Sequence, residues 1–487
     1  MQMNAKKQLS IMLLTAVVTS MTSCQNEPVT TVNETTDTEV INEITETETS
    51  NTVDDLPDED FEGRAFRVLA AESTAYKGYI CVEEETGDVL NDAIYSANRA
   101  VEERFNFVIE QEIQEATAAN NLGTNLIMAG DDVYDIISLT DRLALSYAVQ
   151  GMLVSYDEMP YIDLDKEYWC RSINDSMTIG GNHWLAYSDF NLSVYDYTFV
   201  LAFNKQLLDE LQLENPYELV ESGKWTYDVF NEMCKAAVRD LDGDSVMTEN
   251  DRYGWSGDGR QILPTMWVAA GVTPVTKDEN DLPKYTLTSD EAFAEVYERI
   301  FDLAWNNNTW YPVTNNININ TDNMFRDGNA LFQTTSFGLL DSEYYRDMNI
   351  NYGIIPHPKF NEAQSEYYTR VEGGRIFAIP VTNSDLDFTG IALEAMSYQA
   401  SVDIIPAYFE IALKTKYTRD DESAKMFDLV METRVYDLAD TFWCEQIRDG
   451  FLGQLFKSGS EALASAAESN RTKVEDKINE TIEALAK

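Results

Sequence analysis

The 487-residue chain carries 85 acidic side chains against 35 basic ones, a formal net charge of −50. That balance argues against nucleic acid and anionic membrane surfaces as partners, and no apolar run reaches the roughly 20 residues of a membrane-spanning helix. Hydrophobic residues make up 44%, ordinary for a globular protein, and the length suits two domains.

The chain opens with Lys6 and Lys7, then a short apolar run over 11–19, then Met21-Thr22-Ser23-Cys24. This is the order of a bacterial lipoprotein signal. Residues 1–23 are expected to be removed and Cys24 acylated, which anchors the protein outside the cytoplasm on the cell membrane. An ordinary secretory signal with an incidental Cys24 is the alternative. Residues 24–60 are rich in Thr and Glu and poor in aromatics. They are expected to form a disordered acidic tether, extended by its own repulsion. Cys81, Cys170, Cys234 and Cys444 show no CxxC spacing, so disulfides and buried thiols both stay open.

The body is expected from Phe61. AFRVLAAE (65–72) reads as a buried strand, followed by a helix over 89–104 with Leu90, Ile94, Ala97 and Val101 on one face. FNFVIEQEI is a second strand, a helix runs to about Met128, and YDIISLTD (134–141) is a third strand. The alternation predicts a mainly parallel sheet. SMTIGGNHWLAYS reads as a hairpin turning at Gly180-Gly181-Asn182. YTFVLAF leads straight into a helix. WTYDVFNEMCKAAVRD is an amphipathic helix with Thr226 at its N-cap. RYGWSG is another strand, and TKVEDKINETIEALAK a last helix with Val474, Ile478, Ile482 and Leu485 on one side.

Between the amphipathic helix and RYGWSG lies DLDGDSVMTEND (240–251). Asp240, Asp242 and Asp244 occupy positions 1, 3 and 5 of a twelve-residue loop. Val246 offers a carbonyl at 7, Thr248 stands at 9 and Asp251 closes at 12. Hard Ca²⁺ takes six to eight oxygens at this spacing, and the loop resembles those of EF-hands and dockerin modules. Position 6, usually Gly because φ must be positive, is Ser245, which costs about 1 kcal/mol. A structural Ca²⁺ is expected here, with a metal-free Asp-rich turn as the alternative. A dockerin would need two such loops in tandem, and there is one.

VLAFNKQLLDELQLENPYELVESGKWTYDVFNEM resembles the start of the second lobe in the extracellular solute-binding proteins of bacterial ABC importers, family 1, the mainly sugar-binding group. MFRDGNALFQ, MNINYGIIPHPKFNEAQ and RIFAIPVTNSD resemble the blocks that follow, in order. The resemblance implies an α/β, two-lobed periplasmic-binding-protein-like (type II) fold with a ligand cleft. Crossings between lobes are expected near 195–201, 358–370 and 411–417. Lobe one would take 61–197 and 366–412, and lobe two 198–365 and 413–487. The implied function is capture of a mono- or oligosaccharide by a monomeric receptor that closes on it and delivers it to a membrane ABC permease, without chemistry.

A pyranose presents an apolar face and a rim of hydroxyls, so its site wants aromatic platforms with carboxylates, amides and Arg. Strand C-termini face the crevice of an open α/β sheet, which nominates Glu72 and Ser73 after the first strand and Asp141 and Arg142 after the third. LTDR resembles the acidic-basic pair of maltodextrin-binding relatives; helix capping by Asp141 is the alternative. Tyr195 and Tyr197 fall at the first crossing, Trp255 ends a second-lobe strand and Phe337 follows another. Trp443 in DTFWCEQIRDG resembles the stacking Trp of the same relatives. Each aromatic also reads as core. Glu372 precedes Gly373-Gly374, where backbone can approach a ligand. The rival is a secreted hydrolase with paired carboxylates, though no pair stands out. GxSxG, HExxH and P-loop patterns are absent.

Overall fold

The structure, a computed structural model, describes residues 54–72, 80–312, 321–340, 345, 348–411 and 421–486. Cys24, Ser73 and nearly all of the expected 411–417 crossing lie outside the described residues. The first sheet contains β1 (Arg64–Glu72), β2 (Phe107–Glu115), β3 (Ile136–Thr140) and β11 (Arg375–Ala378), in the order β11-β3-β1-β2. β1 runs parallel to β2 and β3, and β11 antiparallel to β3. Its central strand buries Phe66, Val68, Leu69, Ala70 and Ala71, the continuous apolar run of a strand covered on both faces. Helices α1 (Val89–Phe105) and α2 (Ala116–Ala129) cross between these strands. Asp88 caps α1 by accepting from the N–H groups of Leu90 and Asn91, and Asn106 ends it in the left-handed conformation.

The second sheet contains β4 (Phe199–Asn204), β5 (Tyr253–Ser256), β8 (Ala330–Ser336) and β9 (Tyr352–Ile355), in the order β5-β8-β4-β9. Every residue of β4 and β8 is buried. All of its strands come from 199–355, and those of the first sheet from 64–140 and 375–378. β6 (Val275–Lys277) and β7 (Pro283–Tyr285) form a separate hairpin. The last helix, Leu463–Leu485, buries Val474, Ile478 and Leu485 and packs on β7.

Between the sheets the chain segments lie side by side. Thr198 bridges Val371, the Glu372 N–H donates to the Tyr197 carbonyl at 3.2 Å, and β10 (Thr369–Val371) pairs in parallel with β12 (Arg434–Tyr436). The β12 strand was not expected as a junction element.

Two sequence expectations differ from the structure. The body begins before Phe61: Asp54 is buried against Arg104, Asp55 pairs with Lys166 at 2.8 Å, and Leu56 packs on the first half. The acidic run ends in fixed ion pairs, so the tether stops short of residue 54. The 176–188 hairpin reduces to one bridge, Ile179 to Asn182. The Asn174 side chain replaces the ladder, donating to the Tyr187 carbonyl at 2.9 Å and accepting its N–H at 2.8 Å. The four cysteines from Cys81 onward are free thiols.

Glu394, fully buried on the helix Leu386–Gln399, accepts from the Tyr168 hydroxyl at 2.6 Å and the Trp169 indole at 2.7 Å. Burial pushes its pKa up to about 7, against the pull of these bonds. A raised folded-state pKa contributes stability in full below the unfolded value and loses it as pH rises through about 7. The melting temperature is therefore expected to be higher at pH 5 than at pH 8. Glu394→Gln should shrink that difference by melting most nearly like the wild type at pH 5.

Candidate functional site

At the junction, charged side chains converge out of solvent. Arg370 on β10 is fully buried and donates Nε to Asp440 at 2.6 Å, Nη2 to the other Asp440 oxygen at 3.0 Å and Nη1 to Gln261 at 2.6 Å. Arg448 reaches the same Asp440 at 2.9 Å and Glu372 at 2.8 Å through Nη1, and turns Nε and Nη2 to Asp449, each at 3.1 Å. Arg370 also lies 3.3 Å from Glu372. Burying such charges is tolerable only because each donor fork meets a carboxylate or amide oxygen.

The first half contributes Asp141 and Arg142, which open α3 (Asp141–Val149) where β3 ends. Asp141 is buried; it accepts the Arg142 N–H at 2.7 Å and the Tyr436 hydroxyl of β12 at 2.8 Å. The half-buried Arg142 donates Nη1 to the Cys444 sulfur at 3.1 Å. Burial, and then the charge of Glu372, push the Asp141 pKa up to about 6. Burial would also raise Glu372, but the guanidinium charges of Arg370 and Arg448 outweigh it and hold that pKa below the ordinary carboxylate value. The two carboxylates thus differ in proton affinity by environment alone.

The backbone between Glu372 and β11 needs glycine. Gly373 has φ +90°, and a Cβ on Gly374 would stand 2.4 Å from the Tyr187 hydroxyl oxygen. Trp443 sits one residue before Cys444, buried, with its indole N–H unpartnered among the described residues. A buried donor of this kind calls for an acceptor.

Of the residues nominated from sequence, the structure brings together Asp141, Arg142 and Glu372, while Trp443 is the chain neighbour of Cys444, to which Arg142 donates. Tyr197 borders them, half-buried, its ring facing Gly373 and its carbonyl bonded to Glu372. Glu72 is exposed at the end of β1. Tyr195 is buried apart, bonded to Asp189 at 2.5 Å with the Arg434 guanidinium 4.6 Å over its ring. Trp255 and Phe337 are core residues here: the Trp255 indole donates to Thr334 at 3.0 Å and its ring meets Phe230 edge-on, while Phe337 packs on Phe427. Large apolar rings near strand ends are drawn into the core. Sequence reasoning missed Arg370, Asp440, Arg448, Gln261 and Tyr436. The one available signal was the set of charges Asp440, Asp449 and Arg448 inside the apolar stretch LADTFWCEQIRDGFL.

The loop 240–251 forms its own site. Carboxylate oxygens of Asp240, Asp242 and Asp244 lie within 4.8 Å of one another. Ser245 takes φ +69°, the conformation that position 6 demands. Asp240 accepts from the N–H groups of Gly243 and Ser245, Asp242 from Asp244, and Asp244 from Val246. The Asp244 N–H favours the Asp242 carboxylate, yet desolvation and the charges of Asp244, Asp251 and Asp240 outweigh it and push the pKa up. Asp251 is not drawn into this cluster; it accepts from the N–H groups of Leu241 at 2.8 Å and Thr248 at 2.7 Å. Three clustered carboxylates on a loop of this curvature fit a hard cation.

Residues 103–403 match the family described as bacterial extracellular solute-binding protein. No curated protein matches the sequence. Among solved structures, an extracellular solute-binding protein from Staphylococcus aureus in complex with maltose is similar with a TM-score of 0.57 and 12% identity, covering 87% of this chain and 99% of that one. A sugar transporter from Rhizobium etli in an open conformation gives 0.57 and 14%, covering 87% and 99%. An ABC substrate-binding protein from Listeria monocytogenes in complex with cycloalternan gives 0.53 and 14%, covering 86% and 99%.

Asp440 is the shared acceptor of two buried guanidinium groups. Asp440→Ala is expected to destabilise the fold by about 3–5 kcal/mol, the cost of leaving buried charges unpaired, read as a lower urea midpoint. Asp449→Ala, at a half-buried position where water can replace the carboxylate, should cost less.

Proposed function

The chain belongs to the bacterial extracellular solute-binding proteins, and from that premise we propose that it is the receptor of an ABC importer, capturing a carbohydrate between its halves and handing it intact to membrane permease subunits. The observation that carries the sugar reading is the gathering of Asp141, Arg142 and Glu372 at the junction of the two sheets, with Arg142 bonded to Cys444, the chain neighbour of Trp443 and its unpartnered indole N–H. Carboxylates accept from sugar hydroxyls, a guanidinium and an indole N–H donate to them, and an indole face covers the apolar side of a pyranose. Nothing in this set needs a bond to be broken. Binding would favour the closed arrangement by its differential contacts with both halves.

The receptor would act as a monomer, tethered through acylated Cys24 and the acidic segment that follows. No helix among the described residues is long and apolar enough to cross a membrane. Ca²⁺ would be held by Asp240, Asp242 and Asp244, the Val246 carbonyl and Thr248, with Asp251 exchanging its N–H donors for the ion. It would relieve the repulsion among these carboxylates and stiffen the link from the helix Tyr227–Ala237 to β5.

A thermal-shift screen of mono- and oligosaccharides is expected to find a sugar that raises the melting temperature and is recovered unchanged. Glu372→Gln should abolish the shift while the variant stays folded. A screen with no sugar response, or one in which the sugar is turned over, would overturn the receptor reading. The calcium site is tested separately: EGTA should lower the melting temperature of the wild type, and Asp244→Ala should melt low with or without EGTA.

A further inference from the structure

The halves also touch away from the crossing strands, and the contact has the build of a clasp. On the second half, the β6–β7 hairpin ends in the turn 278–282. Asp278 fixes that turn: its Oδ1 accepts from the N–H groups of Asn280 at 2.9 Å and Leu282 at 3.0 Å, and Lys284 pairs with its Oδ2 at 2.8 Å. Asp281, at φ +58°, is thereby held at the tip. On the first half, Gly180 and Gly181 follow one another at φ +64° and +75°, which turns both N–H groups outward as a small anion-binding concavity.

The tip enters that concavity. Gly180 N–H donates to the Asp281 carbonyl at 3.0 Å and Gly181 N–H to Asp281 Oδ2 at 2.9 Å. Lys277 reaches across in the other direction, donating Nζ to the Asp175 carbonyl at 3.0 Å and to Thr178 Oγ1 at 2.8 Å, while pairing with Asp281 at 2.9 Å. The two sides are about a hundred residues apart in sequence. The first-half side is secured by hydrogen bonds of Tyr156 N–H and Ser155 Oγ to the His183 carbonyl, and the second-half side by the last helix, where Tyr285 reaches the Ala467 carbonyl.

We propose that this hairpin is a polar clasp which sets how often the two halves adopt the arrangement seen here. Its bonds are directional and lie at the margin, where water replaces a lost partner at small net cost. Such a contact biases an equilibrium between arrangements instead of locking it. Among the described residues the last helix also meets α3, a contact separate from the clasp.

The test needs no ligand, so its failure leaves the carbohydrate reading untouched. Small-angle scattering and amide hydrogen exchange are compared, in the ligand-free protein, for the wild type, Lys277→Ala/Asp281→Ala, the milder Thr178→Val, and Lys284→Ala, which removes an exposed hairpin charge and leaves both backbone bonds to Asp278 and all the cross-contacts named above in place. The double variant is expected to scatter differently from the wild type and to exchange faster at 369–371 and 434–436. Thr178→Val should shift the same way by less, and Lys284→Ala should match the wild type. Wild-type scattering and exchange in the double variant would overturn the proposal. If the double variant fails to fold, unchanged exchange in Thr178→Val would overturn it equally.

Discussion

The arrangement depends on Asp440 holding two guanidinium groups that have almost no contact with water. Arg370 comes from the strand that joins the two halves and Arg448 from a turn of π-helix (Arg448–Leu452) packed on the second half. Neither charge is tolerable without the other's partner, so strand, turn and Glu372 form one unit. The unit fixes the height at which Glu372 stands beside Asp141. It also sets their proton affinities apart, since Glu372 is held ionised by two cations while Asp141, facing Glu372 and buried, is pushed upward. A binding surface that needs acceptors of graded strength obtains them here from placement, with no unusual residue types.

Much of this fold is written in local pattern. The run FRVLAA announces a doubly covered strand, the i, i+3, i+7 spacing of Ile94, Ala97 and Val101 a helix, and the order of both with their connections a parallel sheet. Asp141 and Arg142 are legible because a strand's C-terminal end is a position that topology defines. The pairing of Arg370 with Asp440 is not: these partners stand 70 residues apart, and the local charges Asp440 and Arg448 do not point to Arg370. Trp255 shows the reverse failure. It satisfies the same strand-end rule as Asp141, but a large ring there is drawn edge-on against Phe230, which in turn packs on Phe332 of the same sheet. The rule locates the edge of a sheet and is blind to which way a side chain leaves it. The hairpin expected at Gly180-Gly181 was legible as a turn, yet the ladder behind it was lost to Asn174, a competitor shortly before the turn.

The calcium-type loop illustrates what a departure from pattern means physically. Ser245 stands where Gly is usual, and the backbone adopts positive φ regardless. The strain is offset locally: the Ser245 N–H is held by Asp240 and the next N–H, Val246, by Asp244. Loop curvature is therefore set by carboxylates that accept backbone bonds, and those carboxylates are the ones left close enough to repel.

Two kinds of contact bind the halves, and their chemistry suits different tasks. Through the junction runs a chain of rings: Tyr195 against Phe409 at 6.1 Å, Phe409 against Phe427 at 5.0 Å, and Phe427 against Phe337 at 4.8 Å. Apolar contacts are non-directional, and rings that slide or tilt slightly lose little. The clasp at Asp281 is the opposite, since hydrogen bonds weaken steeply with angle. A rotation of one half on the other would preserve the ring contacts while breaking the clasp bonds. The aromatic chain therefore has the chemistry of a pivot, and the polar hairpin that of a catch, whose loss would be felt as a changed balance between arrangements and not as unfolding.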